Sequence, residues 1–288
     1  MKTGEFTFNS NGLMLWYKVS GKGPVCVIPT AGWGPSSELY FETMTEMEEY
    51  FTMVYLDTRG SGRSEKPASP QDYTYEQFTA DFDALRQHFG LETMIMMGHS
   101  QGGMHAINYA LHYPNHCTGL ILLNTLPAFD EFYKNEMQKN MMLRENESWF
   151  GEAMAAFANE NPCQSSEEFA EFIETILPFY FVDIEVSQNY GKKVSAATFS
   201  VEASKGQAAV QLEINLLDEV HKINIPTLLI TGEEDFICPP IQSERIAERI
   251  ENSKVIIIPN AGHFPWFEQK DDFYQSLVPA AREMNFIQ

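Results

Sequence analysis

The most constraining feature of this chain is the sequence Gly-His-Ser-Gln-Gly at residues 98–102. It follows the apolar run 94–97 and opens the helix-like stretch 103–113. A buried strand that turns sharply into a helix through small residues presents the middle serine on a strained, exposed turn, because glycines permit close backbone approach. The pattern therefore predicts a strand, a tight turn and a helix, with Ser100 as a candidate nucleophile.

Apolar runs that end in polar, glycine-containing loops alternate with helical periodicity over most of the chain. Two strands, residues 5–9 and 14–19, come first, and we expect both to lie at an edge of the sheet. Buried strands are predicted at 25–28, 53–56, 94–97, 119–123, 227–230 and 255–258. Helices are predicted at 75–89, 103–113, 240–250 and 268–282. This alternation predicts an α/β fold with a mostly parallel central sheet and helices on both faces.

The alternation stops between residues 127 and 222, where the pattern is helical and is interrupted at Pro162 and Pro178. We therefore expect the first part of an α/β core at 1–126, an inserted helical cap at 127–222 and the second part of the core at 223–288. A chain of 288 residues is long enough for a large core with such an insertion. The predicted cap carries 17 acidic and seven basic side chains, so it holds about half of the net charge of −21.

Composition and charge exclude several classes of partner. The net charge of −21 opposes binding to nucleic acid or to an anionic membrane. The longest apolar runs, such as 119–123, are far shorter than the about 18 residues of a membrane span. The first eight residues lack the apolar core of a signal peptide, and the four cysteines include no Cys-x-x-Cys pair, so we expect a cytoplasmic protein without disulfides or a zinc site. No cofactor is predicted, and the oligomeric state stays open.

A serine hydroxyl is a weak nucleophile, so Ser100 needs a base and an acid that orients the base. His263 follows the last predicted strand, and Asp235 follows the strand at 227–230. Ligands bind at the carboxyl edge of open α/β sheets, where these loops meet. Neighbouring acids that could replace Asp235 are Glu233 and Glu234. His99 lies inside the turn of the motif, and its side chain is expected to point away from the exposed tip. The remaining histidines are interpreted as surface or packing residues: His88, His105, His112, His116 and His221.

The motif at 98–102, together with Asp235 and His263, resembles the α/β-hydrolase superfamily, in the chain order Ser, Asp, His. The resemblance extends over nearly the whole chain and implies the α/β-hydrolase fold. It also implies an oxyanion hole built from two backbone N–H groups, those of Gln101 and, in the loop at 29–35, Trp33.

Within the superfamily, residues 31–37 and 57–64 resemble the proline iminopeptidase group. Those enzymes usually carry His-Gly-Gly-Pro-Gly in the first loop and Trp after the nucleophile, whereas this chain has Ala-Gly-Trp-Gly-Pro at 31–35 and Gln101. The resemblance also implies that carboxylates of the cap hold the α-ammonium of the substrate, although solvated helix faces explain the same acidic residues. The aromatic residues of the cap are interpreted as its core rather than as pocket lining: Trp149, Phe150, Phe157, Phe169, Phe172, Phe179, Tyr180 and Phe181.

We expect a serine hydrolase that cleaves a small carboxylic ester or amide in a mainly apolar pocket. The alternatives are a proline iminopeptidase-like aminopeptidase acting on short peptides and, in another class, a non-hydrolytic lyase or ligand receptor. Epoxide hydrolases and haloalkane dehalogenases are disfavoured, because they would have aspartate in place of Ser100. Cys238, three residues after Asp235, is interpreted as a packed loop cysteine rather than a reactive thiol.

Overall fold

The computed structural model describes residues 1–159, 163–194, 197–211 and 214–288. The strands in these ranges are β1 (Gly4–Ser10), β2 (Leu13–Gly21), β3 (Val25–Pro29), β4 (Thr52–Leu56), β5 (Met94–His99), β6 (Cys117–Leu123), β7 (Thr227–Gly232) and β8 (Ser253–Ile258). They form one sheet in the order β1-β2-β4-β3-β5-β6-β7-β8. The pairs from β4 to β8 are parallel, whereas β1 and β2 run antiparallel to their neighbours. The predicted mostly parallel α/β sheet is confirmed.

Helices connect the strands and cover both faces of the sheet. In the described ranges they are α1 (Glu38–Phe41), α2 (Tyr75–His88), α3 (Gln101–His112), α4 (Glu131–Met142), α5 (Phe150–Phe157), α6 (Ser166–Ile176), α7 (Ile184–Lys193), α8 (Val201–Gln211), α9 (Pro240–Ala247), α10 (Pro265–Glu268) and α11 (Lys270–Glu283). Short 3-10 turns lie at Thr45–Glu49, Pro70–Asp72, Leu177–Tyr180 and Val220–Lys222. Pro178 lies in the turn after α6, as the sequence predicts, and Pro162 lies outside the described residues.

The side chains of β5 show how the sheet is buried on both faces. Met94 and Met96 belong to one hydrophobic cluster, and Ile95 and Met97 belong to the other. Successive side chains of a strand point to opposite faces, so the two clusters are the two cores on either side of the sheet. A strand buried on both faces reads as a continuous apolar run, which is why residues 94–97 were recognisable as a central strand.

The expectation that the first two strands both lie at an edge is wrong for β2. β2 pairs with β1 on one side and with β4 on the other, where Tyr17 lies opposite Leu56. The chain returns from β3 so that β4 lies between β2 and β3 and covers the second side of β2. The edges are β1 and β8, and Ile257 of β8 is accordingly 42% exposed.

The helices α4 to α8 lie between β6 and β7. Near the two ends of this segment, Ala128 and Asn215 form an isolated β-bridge, and the N–H of Leu216 donates to the carbonyl of Pro127 at 2.9 Å. Phe199, between α7 and α8, bridges Pro35 of the loop after β3. The segment is therefore anchored both at its ends and at the loop that contains Trp33.

No helix in the described ranges is both long enough and apolar enough to cross a membrane.

The loop after β4 is held by its own first residue. The carboxylate of Asp57 accepts the N–H of Ser37 at 2.7 Å and the N–H of Arg63 at 2.8 Å. Burial raises the pKa of Asp57, and these donors oppose the rise. The motif at 57–64 thus joins this loop to the start of α1, which follows Ser37.

A buried ion pair fixes the same loop to α2. The guanidinium of Arg59 donates through Nε and Nη2 to the two carboxylate oxygens of Asp81, each at 2.8 Å. The side chains are 5% and 2% exposed, and the hydroxyl of Ser10 on β1 donates to Asp81 at 2.6 Å. Burial raises the pKa of Asp81, and Arg59 opposes that rise. The pair thereby ties together β1, α2 and the loop after β4.

We expect Asp81→Ala to lower the free energy of unfolding by about 3 kcal/mol or more, because it leaves the Arg59 charge buried without a partner. Urea unfolding monitored by circular dichroism measures the change. The control is Glu283→Ala, which removes the exposed partner of Lys254 and should cost less than about 1 kcal/mol. Equal unfolding curves for the two variants would contradict the role given to Asp81.

Candidate active site

Ser100 occupies the turn between β5 and α3 in a strained backbone conformation. Its φ is +55° and its ψ is −132°, a region that residues other than glycine rarely adopt. Its N–H donates to the carbonyls of Leu123 and Asn124 at the end of β6, at 3.0 and 3.1 Å. A Cβ on Gly98 would lie 2.4 Å from the carbonyl oxygen of Gly102, so glycine is required where strand and helix meet. The sequence motif thus forms the predicted strand–turn–helix unit.

His263 lies in the loop after β8 and contacts Asp235 in the loop after β7. Its Nδ1 is 2.8 Å from Oδ2 of Asp235, and the two side chains are 3% and 0% exposed. A carboxylate can only accept a hydrogen bond, so Nδ1 carries the proton and Nε2 is the ring nitrogen that can take up another. The arrangement is that of a general base with an orienting acid.

Four donors surround the carboxylate of Asp235. Oδ2 accepts from His263 and, at 2.7 Å, from the side-chain amide of Asn124. Oδ1 accepts the N–H groups of Ile237 at 3.0 Å and Cys238 at 3.1 Å. The acceptor capacity of an ionised carboxylate is thereby filled, which fixes the orientation of the group. Neither Glu233 nor Glu234 takes this position.

Asn124, the residue after β6, was missed by the sequence analysis. Its side-chain amide donates to Asp235 and also, at 3.1 Å, to the carbonyl of Gly262, next to His263. Its own carbonyl accepts from Ser100, so a single residue contacts the surroundings of all three candidate catalytic groups. A polar residue directly after the buried strand 119–123 was the signal that could have identified it.

His99, the last residue of β5, is hydrogen-bonded to the loop that carries His263. Its Nε2 donates to the carbonyl of His263 at 3.0 Å, and its Nδ1 lies 3.2 Å from the hydroxyl of Tyr40. Burial lowers the pKa of His99 well below its ordinary value, so the ring is neutral and Nδ1 accepts from the tyrosine. Both ring nitrogens of His99 are therefore engaged in structural hydrogen bonds.

Trp33 and Gln101, the predicted oxyanion donors, line the same cavity as Ser100 and His263. Trp33 has a φ of +73°, and Gln101 is the first residue of α3, where an N–H has no acceptor inside the helix. The side chain of Gln101 is held elsewhere, because it donates to Oε1 of Gln211 at 2.6 Å. Asp235 lies behind His263 and is not part of the cavity wall.

The cavity has a volume of about 760 Å³ and a mainly apolar wall. The segment between β6 and β7 contributes Leu126, Phe129, Tyr133, Ile173, Leu177, Tyr180, Ile184, Tyr190, Val194 and Phe199. The rest of the chain contributes Ala31, Leu39, Ile237 and Phe264. Apart from histidines, the charged residues of the described wall are Glu174 and Lys192, both exposed.

Most of the aromatic residues singled out in the sequence pack against one another instead of lining this cavity. The ring of Phe179 lies 4.8 Å from that of Trp149 and 5.7 Å from those of Phe150 and Phe157. Of this group, Tyr180 alone is among the described residues of the cavity wall. The interpretation as core packing therefore holds for the rest.

Cys238 lines the cavity but has the properties of a packed cysteine. It is fully buried, and burial followed by the charge of Asp235 raises the pKa of its thiol well above the ordinary value. Potential ligand atoms of Asp235, Cys238 and His263 lie within 4.8 Å of one another. Four N–H donors already occupy the carboxylate of Asp235, so hydrogen bonding accounts for this cluster without a metal ion.

Comparisons with known proteins agree with this fold. A family model described as alpha/beta hydrolase fold matches residues 24–270. A proline iminopeptidase of Pestalotiopsis fici is 25% identical over 276 residues, which cover 91% of this chain and 93% of that protein. An alpha/beta fold family hydrolase of Bacillus anthracis has a TM-score of 0.80 at 19% identity, covering 96% of this chain and 99% of that one. An esterase of Exiguobacterium antarcticum has a TM-score of 0.74 at 20% identity, covering 98% and 100%.

The family match spans most of the chain and includes Ser100, Asp235 and His263. The fold is similar to those of the two solved hydrolases over almost the whole chain. This chain therefore belongs to the alpha/beta hydrolase fold family and is a hydrolase.

Proposed function

We propose that the chain is a serine hydrolase that cleaves small neutral carboxylic esters through an acyl-enzyme. Ser100 is the nucleophile, His263 the general base and Asp235 the acid that orients the base. The observation that carries the proposal is the presence of Ser100 on a strained turn and of the His263 ring, hydrogen-bonded to Asp235, on the wall of one apolar cavity.

In the first step, Oγ of Ser100 attacks the carbonyl carbon of the ester while Nε2 of His263 takes up the hydroxyl proton. The electron pair of the C=O bond moves to the oxygen, which becomes an oxyanion. The backbone N–H groups of Trp33 and Gln101 are the proposed donors to that oxygen, each lowering the barrier by about 2.7–4 kcal/mol in comparable sites. Asp235 stabilises the imidazolium that forms.

In the second step, the bond from the carbonyl carbon to the alcohol oxygen breaks, and His263 gives its proton to the departing alcohol. Water then attacks the acyl-enzyme while His263 accepts one of its protons. The bond to Oγ breaks, the proton returns to Ser100, and the carboxylic acid leaves. The sequence of steps needs no further reactant.

The segment at 127–222 is proposed to act as a cap, with 1–126 and 223–288 forming the core. Its ends lie close together, as the bridge between Ala128 and Asn215 requires, and its helices supply much of the cavity wall. A cap over the site excludes water and shapes the pocket for the acyl group.

The cavity wall favours an uncharged substrate. Glu174 and Lys192 are exposed and carry charges of opposite sign. Apart from these two residues and the histidines, the described wall consists of apolar and uncharged polar side chains. An α-ammonium group buried among such side chains would lose hydration without gaining a counter-ion. A neutral apolar acyl chain gains from the same burial.

Release of an N-terminal residue is the second candidate. It is supported by the proline iminopeptidase relative and by Glu174, the carboxylate in the described part of the wall.

In that case Glu174 would hold the α-ammonium, and Glu174→Gln would raise KM for an aminoacyl anilide about tenfold or more without a matching change for a plain ester.

One prediction tests the nucleophile with Ser100→Ala. With p-nitrophenyl butyrate, the unsubstituted enzyme should show a burst of about one p-nitrophenol per active chain, because an activated aryl ester acylates the serine faster than water removes the acyl group. The variant should lose both burst and turnover. Stopped-flow absorbance measures both. Ser276→Ala on α11, outside the cavity wall, is the matched control and should keep both.

L-Prolyl and L-alanyl p-nitroanilide complete this test. Anilide turnover far below ester turnover is expected for an esterase. Dominant anilide turnover that depends on Ser100 would replace the ester proposal by the aminopeptidase. Ester turnover that persists in Ser100→Ala would overturn the assignment of the nucleophile, and a lack of turnover on all three compounds would favour a lyase or a receptor.

A second prediction concerns Asn124→Asp. The change removes two donors and places a carboxylate beside Asp235, so we expect kcat for the ester to fall about a hundredfold. Asn260→Asp is the matched control, because Asn260 has a similar φ, +52° against +44°, but is exposed. Steady-state kinetics compare the two variants. A similar kcat for both would show that the hydrogen bonds of Asn124 do not position the site.

A further inference from the structure

The carboxylate of Glu268, at the end of α10, accepts backbone N–H groups from two different parts of the chain. Oε1 accepts from Gly262 at 2.8 Å and, more weakly, from Phe264 at 3.4 Å, the two neighbours of His263. Oε2 accepts from Val182 at 2.8 Å, in the segment between β6 and β7. The mechanism proposed above does not use this carboxylate.

The same two parts of the chain also contact each other directly. The N–H of His263 donates to the carbonyl of Tyr180 at 2.8 Å. The approach is so close that a Cβ on Gly262 would lie 2.5 Å from that carbonyl oxygen. Residues 180–182 and 262–264 therefore form one hydrogen-bonded unit with the Glu268 carboxylate between them.

We propose that Glu268 is a positioning residue: its ionised carboxylate holds the His263 loop against residues 180–182 of the proposed cap and so keeps the base in line with Ser100. The inference rests on the proposed function, since it concerns how His263 is placed for that reaction. Glu268 acts through backbone N–H groups and does not itself contact the reacting atoms.

The charge of Glu268 is adjustable in the neutral pH range. Burial raises its pKa to about 7, the charge of Asp235 in the loop after β7 adds to the rise, and the three N–H groups oppose it. From the cap side, Tyr180 is kept neutral by burial, and Asp183 caps α7. On its own side, His263 bonds to Asp235, and Lys270 pairs with Glu46.

Protonation of Glu268 weakens its hydrogen bonds to the two segments, because a neutral carboxylic acid accepts hydrogen bonds less strongly than a carboxylate and carries an O–H donor of its own. The Glu268 side chain is therefore mostly ionised above about pH 7 and mostly protonated below it. Folding stability depends on the pH in the opposite direction to the strength of these hydrogen bonds. The pKa in the folded chain lies above the ordinary value of 4.5, so this group's contribution to stability is present at low pH and is lost as the pH rises through about 7.

The test that does not depend on activity is a pH titration of backbone amide proton shifts by NMR, in a Ser100→Ala background. We expect Val182, Gly262 and Phe264 to titrate with one common midpoint near pH 7. Glu268→Gln should abolish that common titration, and Glu283→Gln, which removes an exposed carboxylate on α11, should preserve it.

Amides of Gly262 and Phe264 that still titrate in Glu268→Gln, together with a Val182 amide that never titrates, would overturn the proposal. That pattern would mean that the chemical shifts of Gly262 and Phe264 respond to His263 and not to Glu268. The NMR titration is informative even if Ser100 is not the nucleophile. A failure of the proposed function can therefore be distinguished from a failure of the role proposed for Glu268.

The kinetic arm uses p-nitrophenyl butyrate with chains that retain Ser100. Glu268→Gln should lower kcat at pH 8 about tenfold or more with KM changed less than about threefold, and the loss should shrink toward pH 6, where the unsubstituted enzyme is itself mostly protonated at Glu268. A loss that is constant across this pH range would identify a merely structural role and overturn the proposal.

Discussion

The site depends on how the chain satisfies the backbone polar groups of the loop that carries His263. This loop leaves the sheet after β8 and is buried, so its N–H and C=O groups need partners within the protein. The N–H of His263 bonds to Tyr180 and its carbonyl to His99, while the carbonyl of Gly262 bonds to Asn124. Each partner comes from a different element, and the imidazole is thereby placed from several directions.

This arrangement explains why polar residues collect at one edge of an otherwise apolar sheet. Parallel strands end together, and the side chains that follow them can bond across from one loop to the next. Asn124 follows β6, Asp235 follows β7 and His263 follows β8. The hydrogen bonds from Asn124 to Asp235 and from Asp235 to His263 thus connect three successive strand ends. Ser100, after β5, continues the row through its bond to the carbonyl of Asn124.

The parts of this arrangement that sequence reasoning recovered are those with a local signature. Ser100 could be recognised because the glycines of its turn and the flanking strand and helix are neighbours in sequence. Asn124 offered only its place directly after a buried strand, and Glu268 offered no local signal. Their roles depend on contacts with residues 111 and 86 positions away, Asp235 and Val182. The position of β2 inside the sheet was not predicted for the same reason. Strand order depends on which strand pairs with β2 later in the chain, here β4, and not on the composition of β2 itself.

The glutamine network beside Ser100 is a further example of long-range pairing. Oε1 of Gln211 accepts from Gln101 at 2.6 Å and from Nε2 of His105 at 2.9 Å. Burial lowers the pKa of His105 to about 4, so the ring stays neutral and is stacked on Phe78 at 4.4 Å. Gln101, His105 and Gln211, three polar residues that sequence alone would place at the surface, are in this way buried.

The cavity wall has two origins, and this has an evolutionary consequence. The candidate reacting groups lie in the loops after strands of the sheet, whereas side chains such as Ile173, Leu177 and Ile184 belong to the segment between β6 and β7. Substitutions in that segment can reshape the cavity while the bonds around His263 stay intact. Descendants of one ancestral chain can therefore diverge in the size of the substrate they accept long before any change reaches the groups that break the bond.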